Sequence, residues 1–275
     1  MSGMWLFLGC VLSTTFEEPR PQPPPNLQIV IEVPGADAEE VETRVSLPVE
    51  ARVQSLPRIT HVSSRSQLGM SVVEASFSNG VSLEAAYTAI GSVVRDMPTV
   101  AADTATPRVR KAEPDDDTLR LMLQSDDLGA LSRLSDELEA RLRTLPGVSQ
   151  VHGTMEMTPS LEMEVDGEQA ATFGLSVADI NNQLGRHIAA INPDAPLEDI
   201  GAISLETAQG TPLPLREVVR LEKAMTPNQL DRYDGQRVAW VMVKTVDPAA
   251  VRQADWTDLA ERYKAKIVVS SSTIQ

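Results

Sequence analysis

Apolar residues recur along this chain at two spacings, every second position and every third or fourth position. Alternation at residues 27–33, 59–66 and 70–77 predicts strands, because successive side chains of a strand point to opposite faces. Two segments with helical spacing separate these strands, and residues 106–111 complete a β-α-β-β-α-β order. The apolar positions are Val41, Val45, Val49, Val53 and Leu56 in the first helix, and Leu83, Tyr87, Ile90, Val94 and Met97 in the second.

The same order begins again after an acidic turn. Residues 119–123 predict a strand, and residues 128–145 carry a leucine stripe along one face of a helix. Residues 148–155 and 161–165 predict the next two strands, and residues 176–188 predict the second helix, which Ser176 caps with Asp179 three residues on. The later elements are a loop at 192–196, hairpin strands at 203–205 and 218–221, a delayed fourth strand at 238–244, a helix at 256–266 and a short strand at 266–269.

A sequence repeat relates the two halves. Residues 50–62 (EARVQSLPRITHV) return as residues 139–151 (EARLRTLPGVSQV), each time where a helix ends and a strand begins. Such a repeat indicates that one α+β unit was duplicated. In each unit, two helices bury their apolar stripes against one face of an antiparallel sheet. The sequence therefore predicts an α+β fold with two tandem ferredoxin-like (βαββαβ) sandwiches.

Composition narrows the possible partners. The chain has 275 residues, 24 Lys+Arg and 39 Asp+Glu, so its formal net charge is −15. A chain this acidic repels phosphate backbones, which excludes nucleic acid as an expected partner. With one cysteine, Cys10, no internal disulfide forms.

The N-terminal segment allows three interpretations. Residues 4–12 are apolar, but nine residues do not cross a bilayer, which needs about 20. No Lys or Arg precedes them, so a signal peptide is disfavoured. A lipoprotein site at Cys10 follows too short a segment, and the clipped end of a membrane helix is preferred. Residues 17–25 hold five prolines and predict an extended lead-in. The chain as given is expected to be essentially soluble.

Metal or cofactor chemistry is not expected. His61, His152 and His187 lack the converging donors that a metal centre needs. The thioethers of Met155, Met157 and Met163 suit soft Cu(I) or Ag(I), but packing is the favoured explanation. We therefore predict no metal site and no cofactor.

Enzyme chemistry is not expected either. Glu162 and Glu164 form a carboxylate pair suited to acid/base work, but alternation with Leu161 and Met163 predicts a solvent face opposite an apolar one. Glycine-rich phosphate loops and nucleophile-elbow sequences do not occur in the chain. We predict no catalytic residues.

A series of motifs in a fixed order resembles one known family. The most specific are PLPLREVV at 212–219 and LDRYDGQRV at 230–238. The others are residues 29–36, 38–42, 48–50, 56–57, 62–66, Gly69, Phe77, 134–151, 165–166 and 173–180. Together they are similar to the periplasmic region that follows the first membrane helix of resistance-nodulation-division (RND) efflux permeases. The likeness runs from about residue 24 onward.

The resemblance implies a domain division. Residues 1–25 would be a residual membrane helix and lead-in, and 26–113 a first porter-like subdomain. A second porter-like subdomain would hold 114–190 and 236–275, and 191–235 would be a shortened docking-like insertion with a partial docking hairpin. The wall strands that line the family's pocket correspond to strands carrying Leu119, Leu121, Met155 and Met157, which are the candidate lining residues.

The resemblance also implies a function. The chain would be the periplasmic porter portion of a truncated RND permease, on the periplasmic side of the inner membrane, where rigid subdomains shift to move a cargo. Without the intramembrane carboxylates it would not pump alone. Expected partners are sibling subunits in a trimer, a periplasmic adaptor, an outer-membrane channel and hydrophobic small molecules. Two alternatives stay open, a free-standing periplasmic binding or adaptor-like module and a paired ferredoxin-like protein that binds small effectors.

Overall fold

The computed structural model describes residues 23–96, 106–112, 119–187 and 195–270. Within these residues, the strands form one nine-stranded sheet and two small two-stranded sheets. The α+β class predicted from the sequence is confirmed. The apolar segment 4–12 lies outside the described residues.

The first sandwich, residues 26–112, follows the predicted β-α-β-β-α-β path. Its elements are β1 (Asn26–Glu32), α1 (Ala38–Val41), a π-helical turn (Glu42–Ser46), α2 (Leu47–Gln54), β2 (Ile59–Gln67), β3 (Met70–Phe77), α3 (Leu83–Asp96) and β4 (Arg108–Lys111). The strands lie in the antiparallel order β4–β1–β3–β2. The helical segment 38–54 and α3 cover one face of this sheet, and the four valines from Val41 to Val53 are fully buried there. The stripe that predicted the helix is therefore its core face.

The π-helical turn has a local cause in the sequence. Proline lacks a backbone N–H and its ring crowds the carbonyl four residues earlier, so an α-helical ladder does not run through it undisturbed. Pro48 lies in the first turn of α2, directly after the π-helical residues Glu42–Ser46. The wider turn lets one helix continue past the proline, and π-turns of this kind often occur at functional positions.

The second sandwich takes its strands from two separated stretches. They are β5 (Leu119–Gln124), α4 (Leu128–Leu142) and β6 (Val148–Gly153), then β12 (Gln236–Thr245), α8 (Pro248–Gln253), α9 (Thr257–Arg262) and β13 (Lys266–Ser270). The order β13–β5–β12–β6 repeats the fourth–first–third–second order of the first sandwich. We therefore interpret the two halves as tandem ferredoxin-like units.

Close packing holds α4 against β6. The buried leucines Leu131, Leu134, Leu138 and Leu142 face the sheet, as the stripe predicted. At Gly153 a Cβ atom would lie 2.5 Å from Ser135 Oγ, so glycine is what allows the helix to approach here.

The insert between β6 and β12 forms a separate unit. Its elements are β7 (Met157–Val165), α5 (Gly167–Thr172), α6 (Val177–His187), α7 (Leu197–Gly201), β8 (Ser204–Glu206), β9 (Pro212–Pro214) and β10 (Val219–Pro227). β7 and β10 pair as an antiparallel ribbon, and β8 pairs with β9. The buried members of the insert's core run from Ala170 to Val219, so the insert encloses a core of its own.

Three assignments from the sequence are corrected by this topology. The strand predicted at 161–165 and the helix at 176–188 lie in the insert, not in the second sandwich. The strand predicted at 238–244 takes the third position, and β13 takes the fourth. Alternation and helical spacing show which face of an element is buried but not which partner covers it. We accordingly propose that the insert begins near residue 156, in place of the boundary expected at 191.

Candidate functional site

The two sandwiches meet at one short strand, β11 (Gln229–Tyr233). On one edge β11 pairs with β2, from Gln229 opposite Gln67 to Tyr233 opposite Ser63. On the other edge it forms a hairpin with the start of β12. The hairpin turns at Asp234 and Gly235, which both have positive φ, as an Asp-Gly turn favours. The two sandwich sheets are thereby continuous.

A buried acidic pair lies beside this strand. Glu42 and Glu50 belong to the helical segment of the first sandwich and are 1% and 3% exposed. Burial of an unpaired carboxylate is costly, so each needs a partner. Arg237 of β12 donates from Nε to both oxygens of Glu42 at 3.0 and 3.1 Å, and Arg232 of β11 reaches Glu42 at 3.4 Å. The helix of one sandwich is therefore ion-paired to strands outside it.

Arg232 joins both carboxylates. Its Nε donates to Glu50 at 3.2 Å, and its NH2 donates to the carbonyl of Gly235. Ser64 of β2 donates to the other oxygen of Glu50. Burial raises the pKa of Glu50, while the hydrogen bond from Ser64 and the charge of Arg232 act in the opposite direction. The hydrogen bond to Glu42 raises the pKa of Arg237.

Between the two glutamates lies a buried hydroxyl cluster. Ser46 Oγ is 2.7 Å from Ser66 Oγ on β2 and 2.7 Å from Ser71 Oγ on β3. Glu42, Ser46 and Glu50 are four residues apart and share one helix face. This polar stripe flanks the valine stripe and faces β2 and β11.

Beyond the ion pairs of Glu42 and Glu50, further contacts connect β11 and the turn after it to β2. Asp231, 4% exposed, accepts from Arg65 Nε at 3.1 Å. His61 Nδ1 lies 2.9 Å from Asp234 Oδ2, and its ring stacks on Tyr233 with centroids 5.4 Å apart. We call β11, the turn after it and these ion-paired side chains the junction.

Replacing Glu50 by Gln should remove one contribution that lowers folding stability as pH rises. A carboxyl whose folded-state pKa is raised binds more protons in the folded than in the unfolded chain. Folding stability therefore falls as pH rises from the usual value of 4.5 through the folded pKa. Glu50→Gln removes this fall, so its stability relative to the natural chain should increase from pH 4 to pH 7 in urea titrations.

Ser64→Ala provides the opposite test of the same group. Loss of the Ser64 hydrogen bond raises the pKa of Glu50 further, so the fall with pH should become steeper. Glu137 and Asp258, whose pKa values are lowered by Tyr263 and Arg141, contribute with the opposite sign in every variant. Equal slopes for Glu50→Gln and the natural chain would contradict the prediction.

An acidic cleft lies along the ribbon of the insert. Glu164 is opposite Arg220 and Glu162 is opposite Glu222, all on the exposed face. A cavity of about 540 Å³ at Glu164 continues past Asp166, and a second of about 300 Å³ lies at Glu162. Leu161 and Met163 face the insert's core, so the predicted alternation of a solvent face and an apolar face is confirmed.

The structure brings three of the four predicted lining residues together and separates the fourth, Met157. Leu119, Leu121 and Met155 are buried members of the core of the second sandwich. Met157 is the first residue of β7, opposite Pro227 in the ribbon and half-buried. A role in lining a pocket stays a prediction, and for the three buried side chains it requires an opening of the core.

His61 and His152 lie on different strands, β2 and β6. His152 is exposed on β6, and His61 belongs to the junction. Over the described ranges, no group of three or more His, Cys, Asp or Glu is placed to hold a metal ion. Sequence reasoning did not identify the junction, because the arginine partners of Glu42 and Glu50 are distant in the sequence.

Comparison with known proteins confirms the predicted resemblance to the RND permeases. Residues 21–123 match the model of the AcrB/AcrD/AcrF family. The chain is 22% identical over 226 residues to "Cation efflux system protein CzcA" of Alcaligenes sp. (strain CT14), covering 71% of the chain and 21% of that protein. It is 27% identical over 140 residues to "Cobalt-zinc-cadmium resistance protein CzcA" of Cupriavidus metallidurans, covering 41% and 13%. The chain thus spans about a fifth or less of these relatives.

Solved structures give a more distant likeness. Two crystal forms of a heavy metal efflux pump superpose with TM-scores of 0.40 and 0.42 at 15% and 16% identity, over 92% and 91% of this chain and 31% of the pump. At this distance the fold description rests on the strand topology given above. Helices in the described part of the chain are too short or too polar to span a bilayer.

Proposed function

We propose that this chain is the periplasmic porter portion of an RND permease that exports metal cations. The relationship to two proteins named for cation efflux and for cobalt-zinc-cadmium resistance is the observation that carries the proposal. It favours cations over the hydrophobic small molecules that the family resemblance alone suggested.

Electrostatics supports a cationic cargo. The net charge of −15 and the acidic cleft along the ribbon raise the local concentration of cations and lower that of anions. Glu162, Glu164 and Glu222 outnumber the one arginine, Arg220, among the lining residues of the smaller cavity. We assign the cleft a role in attracting cations, not in holding one.

Assembly belongs to the same proposal. We infer that the chain works as part of a trimer on the periplasmic side of the inner membrane, with an adaptor and an outer-membrane channel. Energy would enter through proton exchange at intramembrane carboxylates outside this chain, so the chain alone would not pump.

A hybrid permease tests the proposal. In cells that lack their own cation-efflux permease, this chain replaces the corresponding periplasmic segment of a full-length cation-exporting RND permease. We expect the hybrid to restore growth in cobalt, zinc or cadmium salts and to lower the metal content of the cells. The matched control is the same hybrid with its intramembrane carboxylates replaced by amides, which should restore nothing.

Two outcomes would overturn the proposal. One is a hybrid that reaches the membrane at normal abundance, measured by immunoblot, yet leaves metal tolerance at the level of the control. The other is a hybrid that protects against hydrophobic dyes but not against metals. The second result would return the cargo to hydrophobic small molecules.

A further inference from the structure

The strand pairing that connects the two sandwiches is short. Three residue pairs join β11 to β12, from Asp231 opposite Val238 to Tyr233 opposite Gln236, and we call this three-pair ladder the seam. β11 is joined to β2 by five pairs, and β12 is joined to β5 by six. Two-stranded ribbons accept larger twists than wider sheets, and regions with few contacts yield first. The continuous sheet therefore resists a change of angle least at the seam.

The turn that precedes β12 is fixed to the first sandwich. Asp234 donates its N–H to the carbonyl of Val62 at 2.8 Å, and its Oδ1 accepts from the N–H of Val62 at 3.0 Å. Its Oδ2 lies 2.9 Å from Nδ1 of His61. The next two residues, Gly235 and Gln236, are exposed, and Gly235 has a φ of 83°. β11 and Asp234 therefore belong with the first sandwich, and the chain leaves it at Gly235.

On the face of the sheet that the helices cover, an ion pair crosses the seam. Arg237 is the second residue of β12, and its Nε donates to both oxygens of Glu42. The Glu42 side chain is 1% exposed, whereas that of Arg237 is 31% exposed. A carboxylate buried without a counter-ion is costly. Glu42 keeps Arg232 of β11 at 3.4 Å when Arg237 moves away, so the pair across the seam opens without isolating the carboxylate.

On the helix-free face, another arginine of the second sandwich meets charges of the first. Alternation along β5 places Arg120 on the face opposite the buried leucines. Burial lowers the pKa of Arg120, and the charge of Arg65 acts in the same direction, while Glu74 and Asp231 act against it. These three residues lie on β2, β3 and β11, so Arg120 interacts with charges across the seam. Each face of the sheet therefore has a charged contact between the sandwiches.

Apolar contact across the seam involves few side chains. Ala38 of α1 and Leu230 of β11 are the members of the second sandwich's core cluster that lie on the side of the first sandwich. The ring of Tyr233 meets that of Trp240 edge-on, with centroids 5.9 Å apart. Each sandwich otherwise encloses a core of its own. A change of angle at the seam therefore disturbs few buried groups.

We propose that the β11–β12 hairpin is the hinge on which the two sandwiches tilt, and that Arg237 and Arg120 restrain the tilt from opposite faces of the sheet. Hinges are formed by a few residues at the ends of elements, as Gly235 and Gln236 are. The Glu42–Arg237 pair limits opening on the helix-covered face, and Arg120 limits opening on the other. The inference goes beyond the proposed function, because it concerns how the sandwiches move and holds for any cargo.

Distances between spin labels test the proposal on the full chain. In a Cys10→Ser background, Ala85→Cys on α3 and Ala140→Cys on α4 place one exposed label on each sandwich, both on the helix-covered face. Pulsed electron paramagnetic resonance measures the distance between them. Arg237→Ala should lengthen the mean distance by at least about 2 Å, the size of shift common between packed elements. Arg120→Ala should move it in the opposite direction.

Three further variants control the test. Arg44→Ala removes an arginine whose pair with Glu40 lies on the same helical segment but does not cross the seam, so it should leave the distance unchanged. Arg237→Lys keeps the positive charge and should return part of the lost restraint. Glu74→Gln removes one of the charges that face Arg120, so it should act in the direction of Arg120→Ala if that variant does not fold.

A second pair of labels reports on folding. Ala140→Cys with Glu261→Cys on α9 lies within the second sandwich, and both positions are exposed. Its distance should be the same in every variant, because the tilt leaves each sandwich intact.

Three results would overturn the proposal. Shifts of the same sign for Arg237→Ala and Arg120→Ala would show that the two arginines are not opposed restraints. An unchanged distance between the sandwiches in either variant, with the pair inside the second sandwich intact, would show that the arginine does not restrain a tilt. A shift in Arg44→Ala as large as that in Arg237→Ala would show that the distance does not depend on contacts across the seam.

Discussion

Arg232→Ala is expected to destabilise the chain by about 3 kcal/mol, because removal of one partner from a buried ion pair leaves an uncompensated charge. Arg232 is 14% exposed and serves both Glu42 and Glu50. Glu42 keeps Arg237, so the loss falls mainly on Glu50, which retains only the Ser64 hydroxyl among the partners described above. The measurement is the free energy of unfolding in urea at pH 7.

The pH dependence of the same variant adds a second check. Arg232 lowers the pKa of Glu50, so its removal raises that pKa further. Protonation then relieves the buried carboxylate, and the loss at pH 5 should be smaller than at pH 7. The matched control is Arg44→Ala, whose pair with Glu40 is exposed on both sides and should contribute about 0.5 kcal/mol or less. Similar losses for the two variants would contradict the burial argument.

Local spacing was sufficient for the first sandwich because its sheet is built from strands close in sequence. The predicted strand at 70–77 matches β3 in full, and the predicted strand at 59–66 ends one residue before β2 does. Each of these strands pairs with a neighbour across a short turn or one helix, so element order almost dictates topology. The pairing of β1 between β3 and β4 follows from the same order.

Local spacing was not sufficient to predict the topology of the second sandwich. α6 was predicted together with its cap, and Ser176 and Asp179 do form reciprocal hydrogen bonds there. The predicted position of α6 in the second sandwich was wrong, because an amphipathic stripe shows that one face of a helix is buried but not which element covers that face. More than 80 residues separate β6 from β12 in the sequence. The pairing of β12 with β5 and β6 therefore cannot be predicted from local spacing.

The junction could not be predicted from local sequence patterns at all. Charged residues on a helix are normally solvent-exposed, and Glu42 and Glu50 offered no local sign of the contrary. Their burial depends on Arg232 and Arg237, which follow Glu42 by 190 and 195 residues. A polar stripe beside an apolar one becomes a site only when a distant strand supplies the opposite charge.

Leu121→Ala is expected to cost about 3 kcal/mol, within the range of about 2–5 kcal/mol typical of a buried leucine truncated to alanine. Leu121 is fully buried at the centre of β5, opposite Val241 on β12 and Val269 on β13. Truncation would leave a cavity between the sheet and the leucines of α4. β5 and β12 are hydrogen-bonded on both sides, so these strands cannot collapse into the cavity. The free energy of unfolding in urea measures the loss.

Met157→Ala is the matched control, because Met157 was predicted to line the same pocket but is half-buried at the end of the ribbon. Its loss should stay below about 1 kcal/mol, since much of its side chain already meets water. The comparison decides between two roles for Leu121. A core residue loses stability on truncation, whereas a residue lining an open pocket loses little and changes the cargo instead. A loss for Leu121→Ala no larger than that for Met157→Ala, with altered metal tolerance in the hybrid permease, would restore Leu121 to the pocket.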